Sequence, residues 1–297
     1  MHSSPRLLFA FVFVIGVASV QPAVRLMAAP AHGQSQEASL RPVAAIPADI
    51  PFDNEEFQAE QQLLALANQS RRQAGVPALK LDSGLSTAAR IHAQTMLEAR
   101  QLSHQFHGEP ALPQRLASAT PLLLDHEGEN VALDYDAQHG HEHLMLSPPH
   151  RANLLNPAYN VVGLGVVRSG DRLYIVQDFG HALPKYSSSE VKDRVSLAVN
   201  QMRHQARHPG LPRFDLPDAD SAACSMAQAD KLGTSPVRKL AERSTVLTYT
   251  SLHPEALPRQ ATRAVTSRNL RGFSVGSCFA RTATYPTGAY WVVLTLE

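Results

Sequence analysis

A seven-residue motif occurs twice in this chain. Asn68-Gln69-Ser70-Arg71-Arg72-Gln73-Ala74 returns as Asn200-Gln201-Met202-Arg203-His204-Gln205-Ala206, with five of the seven positions identical. Each copy is followed by a glycine, an aliphatic residue and a proline: Gly75-Val76-Pro77 in the first and Gly210-Leu211-Pro212 in the second. Further along, Val162-Gly163 is echoed by Val275-Gly276, and Tyr174-Ile175-Val176 by Tyr290-Trp291-Val292-Val293. Matches in the same order at both ends of two stretches restrict the chain to two copies of one fold, the second shorter in its middle. The expected units are residues 53–183 and 190–297.

Within the first unit, Asp53 and Glu56 form a helix-start signal, and Phe57, Leu64 and Ala67 recur at helical spacing until Gly75 and Pro77 end the run. A second helix begins near Asp82 and carries the stripe Leu85, Ala88, Ala89, His92, Met96 and Ala99, on which His92 reads as a core histidine. Gly128-Glu129-Asn130-Val131-Ala132 is expected to open a third helix, whose periodic part is residues 137–146 and which Pro148 and Pro149 end. Val161 to Val167 and Leu173 to Phe179, around Ser169-Gly170, predict a hairpin. Without βαβ alternation, this order predicts an α+β fold with helices packed on an antiparallel sheet.

The N-terminus has the pattern of a signal peptide over residues 1–31. Arg6 precedes 14 uncharged residues, Leu7 to Val20, and small residues follow up to Ala31. That run is short for a stable membrane span. Residues 32–52, rich in Ala, Pro and Ser, are the expected linker. The chain is therefore expected to be secreted or periplasmic, and its two cysteines, Cys224 and Cys278, to form one disulfide. Aligning Gly210 with Gly75 and Val275 with Val162 puts Cys224 at the position of Ala89 and Cys278 at that of Gly165. The first unit should then bring Ala89 and Gly165 within roughly 8 Å. Lys plus Arg (27) and Asp plus Glu (26) leave a net charge of +1, which gives no footprint for nucleic acid.

Familiar enzyme signatures fail. His141-Glu142-His143-Leu144-Met145 lacks the closing His of a zinc-protease helix. Gly272-Phe273-Ser274-Val275-Gly276 has the spacing of a nucleophile elbow, but no Asp or His follows it. His139, His141 and His143 read as solvent-facing histidines.

Five other segments carry a resemblance when taken together: Ser103-His104, Gly128 to Ala132, His150-Arg151-Ala152-Asn153-Leu154-Leu155-Asn156-Pro157, Val162-Gly163-Leu164-Gly165-Val166 and Gln177-Asp178-Phe179. In this order, over about residues 57 to 183, the chain resembles the CAP superfamily of cysteine-rich secretory, antigen 5 and pathogenesis-related proteins, in its bacterial SCP-like branch. The resemblance implies an α-β-α sandwich, here duplicated. It also implies a cleft lined by two His and one or two Glu that can hold a zinc-like divalent cation. Carried over residue by residue, those are His104, His150 and Glu129. Leu144 and Ser147 stand where the family has a Trp and its second acid, and Glu142 is the nearby candidate for that acid.

Two imidazoles and a carboxylate form an N/N/O set that a zinc-like ion accepts with water in the fourth position. The same groups can serve as acid and base, or form a polar network that fixes the loops. Three functions follow: a module binding a small molecule, lipid, peptide or cell-wall fragment; a metal-assisted hydrolase using His104, Glu129 and His150; and a structural or interaction protein of the envelope. The missing second acid and the lack of an obvious nucleophile count against catalysis. The second unit should have no such site, with Arg263 at the position of His150.

Overall fold

The computed structural model describes residues 54–297. The expected signal peptide and linker lie outside the described residues. The first half runs α1 (Asn54–Gln73), β1 (Lys80–Leu81), α2 (Ser83–Ala99), α3 (Leu112–Ala119), β2 (Leu123–Asp134), α4 (Ala137–Leu146), α5 (Pro148–Leu154), β3 (Val161–Ser169) and β4 (Arg172–Leu183). Its sheet has the order β1-β3-β4-β2, with β1 parallel to β3 and the other pairs antiparallel.

Strand alternation divides the sheet between two helical layers. Val162, Leu164, Val166, Leu173 and Ile175 pack with α1, α4 and α5, while Tyr174 and Val176 pack with α2. The fold is thus α+β, with helices on both faces of an antiparallel-rich sheet. Asp82 caps α2 by accepting from Leu85 N, and the expected stripe is buried from Leu85 to Met96. In α1 the buried row is Ala59, Leu63, Ala67 and Arg71, an i+4 series, whereas Phe57 is exposed.

One expectation about these elements needs correction. Gly128 to Ala132 lies inside β2 and opens no helix. Its consecutive Glu129 and Asn130 are tolerated in a strand because they point to opposite faces, each finding polar partners. Pro148 and Pro149 do follow the end of α4, but they also start α5, where a missing backbone donor costs nothing at the first helical positions.

The second half runs α6 (Ser188–Gln205), β5 (Arg213–Phe214), α7 (Pro217–Gln228), α8 (Arg238–Ala241), β6 (Thr245–Ser251), α9 (Ala261–Val265), β7 (Phe273–Ala280) and β8 (Ala289–Leu296). Its sheet order is β5-β7-β8-β6, with β5 parallel to β7 and the other pairs antiparallel. The residues of the repeated motif make matching bonds. Asn68 Oδ1 accepts from Leu79 N and Asn200 Oδ1 from Leu211 N, each at 2.8 Å. Buried Arg71 donates to the carbonyls of Pro77, Leu154, Asn156 and Tyr159; buried Arg203 donates to those of Pro209, Val265 and Ser267.

These bonds match Pro77 with Pro209, not with Pro212, and Gly75 (φ +72°) with Arg207 (φ +60°). They also put Ala261, not Arg263, level with His150, because Val265 O takes the place of Leu154 O. Cys224 and Cys278 are bonded, with Cα atoms 5.1 Å apart. A Cβ on Gly165 would fall 2.3 Å from the carbonyl carbon of Ala89, so α2 and β3 do approach closely there. Ser86 Oγ accepts from Leu164 N as Asp220 Oδ1 accepts from Ser277 N, which places Cys224 level with Arg90, one residue beyond Ala89.

The halves meet at the start of β2. Leu123 is buried in the core of the second half, Thr287 Oγ1 donates to Leu124 O, and Arg281 donates to the carbonyls of Ala117, Thr120 and Leu122. Among the described residues, no helix is long and apolar enough to cross a membrane.

Candidate functional site

β2 is an edge strand, so groups from both helical layers can meet past its rim. Glu129 and Asp178 are register partners in β2 and β4 and face the α2 and α3 layer, while Asn130 and Gln177 face α5. Glu129 is buried. Its Oε1 lies 2.9 Å from His104 Nδ1, and its Oε2 accepts from Arg115 Nη2 of α3. His104, on the loop after α2, is 60% exposed in its side chain and forms the wet end of the array.

Beneath it the array continues inward. Arg115 Nη1 donates to His104 O at 3.0 Å and lies 3.5 Å from Glu109 Oε1. His92 is fully buried, as a core histidine should be. Its Nε2 donates to Ser103 O at 2.8 Å, and its Nδ1 sits 2.7 Å from Glu109 Oε1. This fixes the loop that carries His104. Burial first, and the Glu129 carboxylate second, hold Asp178 well above the usual carboxylate range. Deprotonated, it would leave two buried oxygens without a donor; protonated, it can donate toward Glu129.

His150 enters from α5 and is half-buried. Asn130 Nδ2 donates to its carbonyl at 3.1 Å, and Asn130 Oδ1 accepts from Asn153 Nδ2, which also bonds Glu129 O. Burial, and then the neighbouring His104, lower the proton affinity of the His150 imidazole below the ordinary histidine value. Gly128 fits because Tyr159 Oη occupies the place of its Cβ. Arg151 is exposed and lines a groove of about 500 Å³ along α4 and α5, with Met145, Leu146, Pro148 and Leu155.

The structure thus joins His104 to Glu129, with His150 as their neighbour. Glu142 stands apart on the exposed face of α4, accepting from Gln138. Of the three α4 histidines, His139 and His143 are exposed and paired with Asp136 and Asp134, as solvent-facing histidines can be. His141 is the correction: it is buried, 2.9 Å from Ser70 Oγ, because its turn of α4 packs on α1. Ser274 lies buried in strand β7, outside any strand-to-helix elbow.

As donors, His104, Glu129 and His150 suit a zinc-like ion, but both oxygens of Glu129 are already engaged. A cation there could take His104 through Nε2, with Glu129 orienting the ring from Nδ1, and would share Glu129 itself with a guanidinium. Among the described residues, the set whose ligand atoms all lie within 4.8 Å of one another is a different one, Asp125, His126 and His181, which could hold a metal ion. No motif pointed to it.

The family model described as the cysteine-rich secretory protein family (CAP) matches residues 64–179. Over 117 residues the chain is 31% identical to the uncharacterized protein YkwD of Bacillus subtilis, a match spanning 37% of this chain and 43% of that protein. A solved extracellular SCP-domain protein of Bacillus anthracis is 26% identical, with TM-score 0.40, over 44% of each chain. A cysteine-rich secretory protein of Staphylococcus aureus is 22% identical, with TM-score 0.35, over 43% of this chain and 40% of that one. The chain therefore spans less than half the length of the curated relative it matches.

Proposed function

We propose that this chain, whose residues 64–179 belong to the cysteine-rich secretory protein (CAP) family, is an exported binding module made of two copies of one fold, of which only the first carries a ligand cleft. The apolar run at residues 7–20 and the Cys224–Cys278 bond support export. The matching strand orders and Arg71/Arg203 bonds support duplication.

The observation that carries the binding reading is the array under His104. An exposed imidazole is held rigidly by a buried Arg115–Glu129 pair, with a second imidazole beside it. Such a surface presents fixed donors and acceptors to a polar ligand group. The groove along the same helix as His150, apolar but for Arg151 and Asn156, suits an attached acyl or aliphatic portion. The ligand class is therefore an amphiphile, such as a lipid or a lipid-linked cell-wall fragment, with a peptide as the competing occupant.

One observation favours a second reading, acid–base hydrolysis. His104 is oriented by Glu129, while His150 is kept neutral at pH 7. Against it, the nearby Ser103 hydroxyl is spent on Gln105 O.

Thermal shift with phospholipid vesicles, muropeptides and short peptides tests both readings on the wild-type chain and on His104→Ala plus His150→Ala. Binding predicts that one class raises the midpoint of the wild type alone and is recovered unchanged. Recovery of a cleaved ligand, lost in the double variant, would replace the module with the hydrolase. No response to any class would overturn both.

A further inference from the structure

At the seam between the two halves, we infer that Asp125, His126, His181 and His253 form a transition-metal site, of zinc type, that ties the second half to the first. β2 carries an irregularity there: Leu124 pairs with Ala182 and His126 with His181, so Asp125 is an extra residue with no cross-strand partner. In a regular strand, adjacent side chains point to opposite faces. A bulge relaxes that alternation, so Asp125 and His126 can both address His181. The result is compact. Asp125 Oδ1 is 2.6 Å from His181 Nδ1 and 3.1 Å from His126 Nδ1.

The fourth group comes from the other half. His253 follows β6, and its Nε2 lies 4.0 Å from Asp125 Oδ2. Three imidazoles and one carboxylate, partly exposed and open to entry, match the donor set and the coordination number that zinc prefers. A bulge in β2 and a histidine from the far side of the seam converge on one carboxylate, which surface ion pairing alone does not require.

The seam gives the site its consequence. Leu123, Leu124 and Leu122 O, just upstream of the bulge, already receive the second half through its core, Thr287 and Arg281. A metal bridging His253 to Asp125, His126 and His181 would close that seam on its open side. This site lies outside the His104–Glu129–His150 cleft, and its fate is separable from the proposed ligand binding.

The test is zinc competition against a chromogenic chelator on the full chain, with one ion expected per seam site. His126→Asn plus His181→Asn should lose more than about 100-fold in zinc affinity, because the loss of two ligands exceeds the roughly 10–100-fold cost of an outer-shell change. His253→Ala should lose about 10-fold, and His104→Ala plus His150→Ala should leave the affinity of this site unchanged. Zinc should raise the unfolding midpoint of the wild type but not that of the His126/His181 variant, whose far-UV spectrum certifies folding. If that variant fails to fold, histidine ring resonances of the unmutated protein serve instead, and zinc should move those of His126, His181 and His253. Zinc affinity untouched by the His126/His181 change, or ring shifts confined to His104 and His150, would overturn the site.

Discussion

The two halves use the same bonds to hold their frames and opposite chemistry at the corresponding cleft positions. In the first, the register Gly163–Asp178–Glu129 crosses three strands; in the second, the same crossing reads Gly276–Val293–Thr248. One column further, Leu164–Gln177–Asn130 is answered by Ser277–Val292–Tyr249. Glycine persists where a helix backbone lies against the strand: a Cβ on Gly163 or on Gly276 would fall 2.1 Å from a carbonyl carbon of α2 or α7. The acids, amides and histidines do not persist. In their place, Tyr249, Trp291, Val292 and Val293 are buried, and a disulfide joins α7 to β7. A polar cleft demands paired burial of charge, as in Arg115 and Glu129. Where that demand is absent, apolar packing holds the same sheet more simply.

The largest effect that could break this comparison lies in the shared frame. Arg71→Ala takes the guanidinium from four backbone carbonyls, of which Asn156 O keeps Tyr159 N as a donor, and Arg203→Ala takes it from three, so each leaves three without a donor and should cost about 3–5 kcal/mol. Urea unfolding followed by circular dichroism measures both. The sole tryptophan, Trp291, is buried in the second half, so its fluorescence should register Arg203→Ala directly. A loss below about 1 kcal/mol for Arg203→Ala would mean that the matching bonds do not carry matching loads.

Next comes the element unique to the second half. Replacing Cys224 and Cys278 by alanine opens a loop with a sequence separation of 54. It should cost about 2–4 kcal/mol on the chain-entropy scale. The loss should appear in the Trp291 transition and leave intact the ligand binding proposed for the His104–Glu129 cleft. Equal loss of both functions would show that the halves do not divide stability and binding between them.

Much of this was legible from residue patterns, and what was not has a common cause. His104, Glu129 and His150 could be named because each sits in a short run, Ser103-His104, Gly128 to Ala132 or His150 to Pro157, that carries the CAP resemblance. Arg115, Glu109 and Asp178 could not be given roles, since their partners lie on other elements and α3 is only eight residues long. The proposed duplication showed itself through Asn68/Asn200 and Arg71/Arg203, which make matching bonds. Its register slipped because glycine and proline recur in any turn: the chain matches Pro77 with Pro209 by hydrogen bonding, while the eye matches Pro77 with Pro212. The cluster at Asp125 was invisible because a bulge, and a histidine more than a hundred residues away, create it.

The smallest effect separates Asp178 from Val293, its register counterpart. An acid whose folded pKa is raised keeps its proton in the native state after the unfolded chain has released it, near pH 3.9. Stability then falls as pH rises from that point toward the folded pKa, by about 1.4 kcal/mol per unit while the difference is one proton. Asp178→Asn removes the titration and supplies an amide that can donate toward Glu129. Its stability relative to the wild type should therefore grow as pH rises above about 4, by up to about 1.4 kcal/mol per pH unit, read by urea unfolding at each pH. The second half holds Val293 and Thr248 at these places and has nothing there to titrate. A difference between Asp178→Asn and wild type that stays flat across this range would place the charge of Asp178 in the folded protein. The contrast drawn between a protonated acid in one half and an apolar core in the other would then fail.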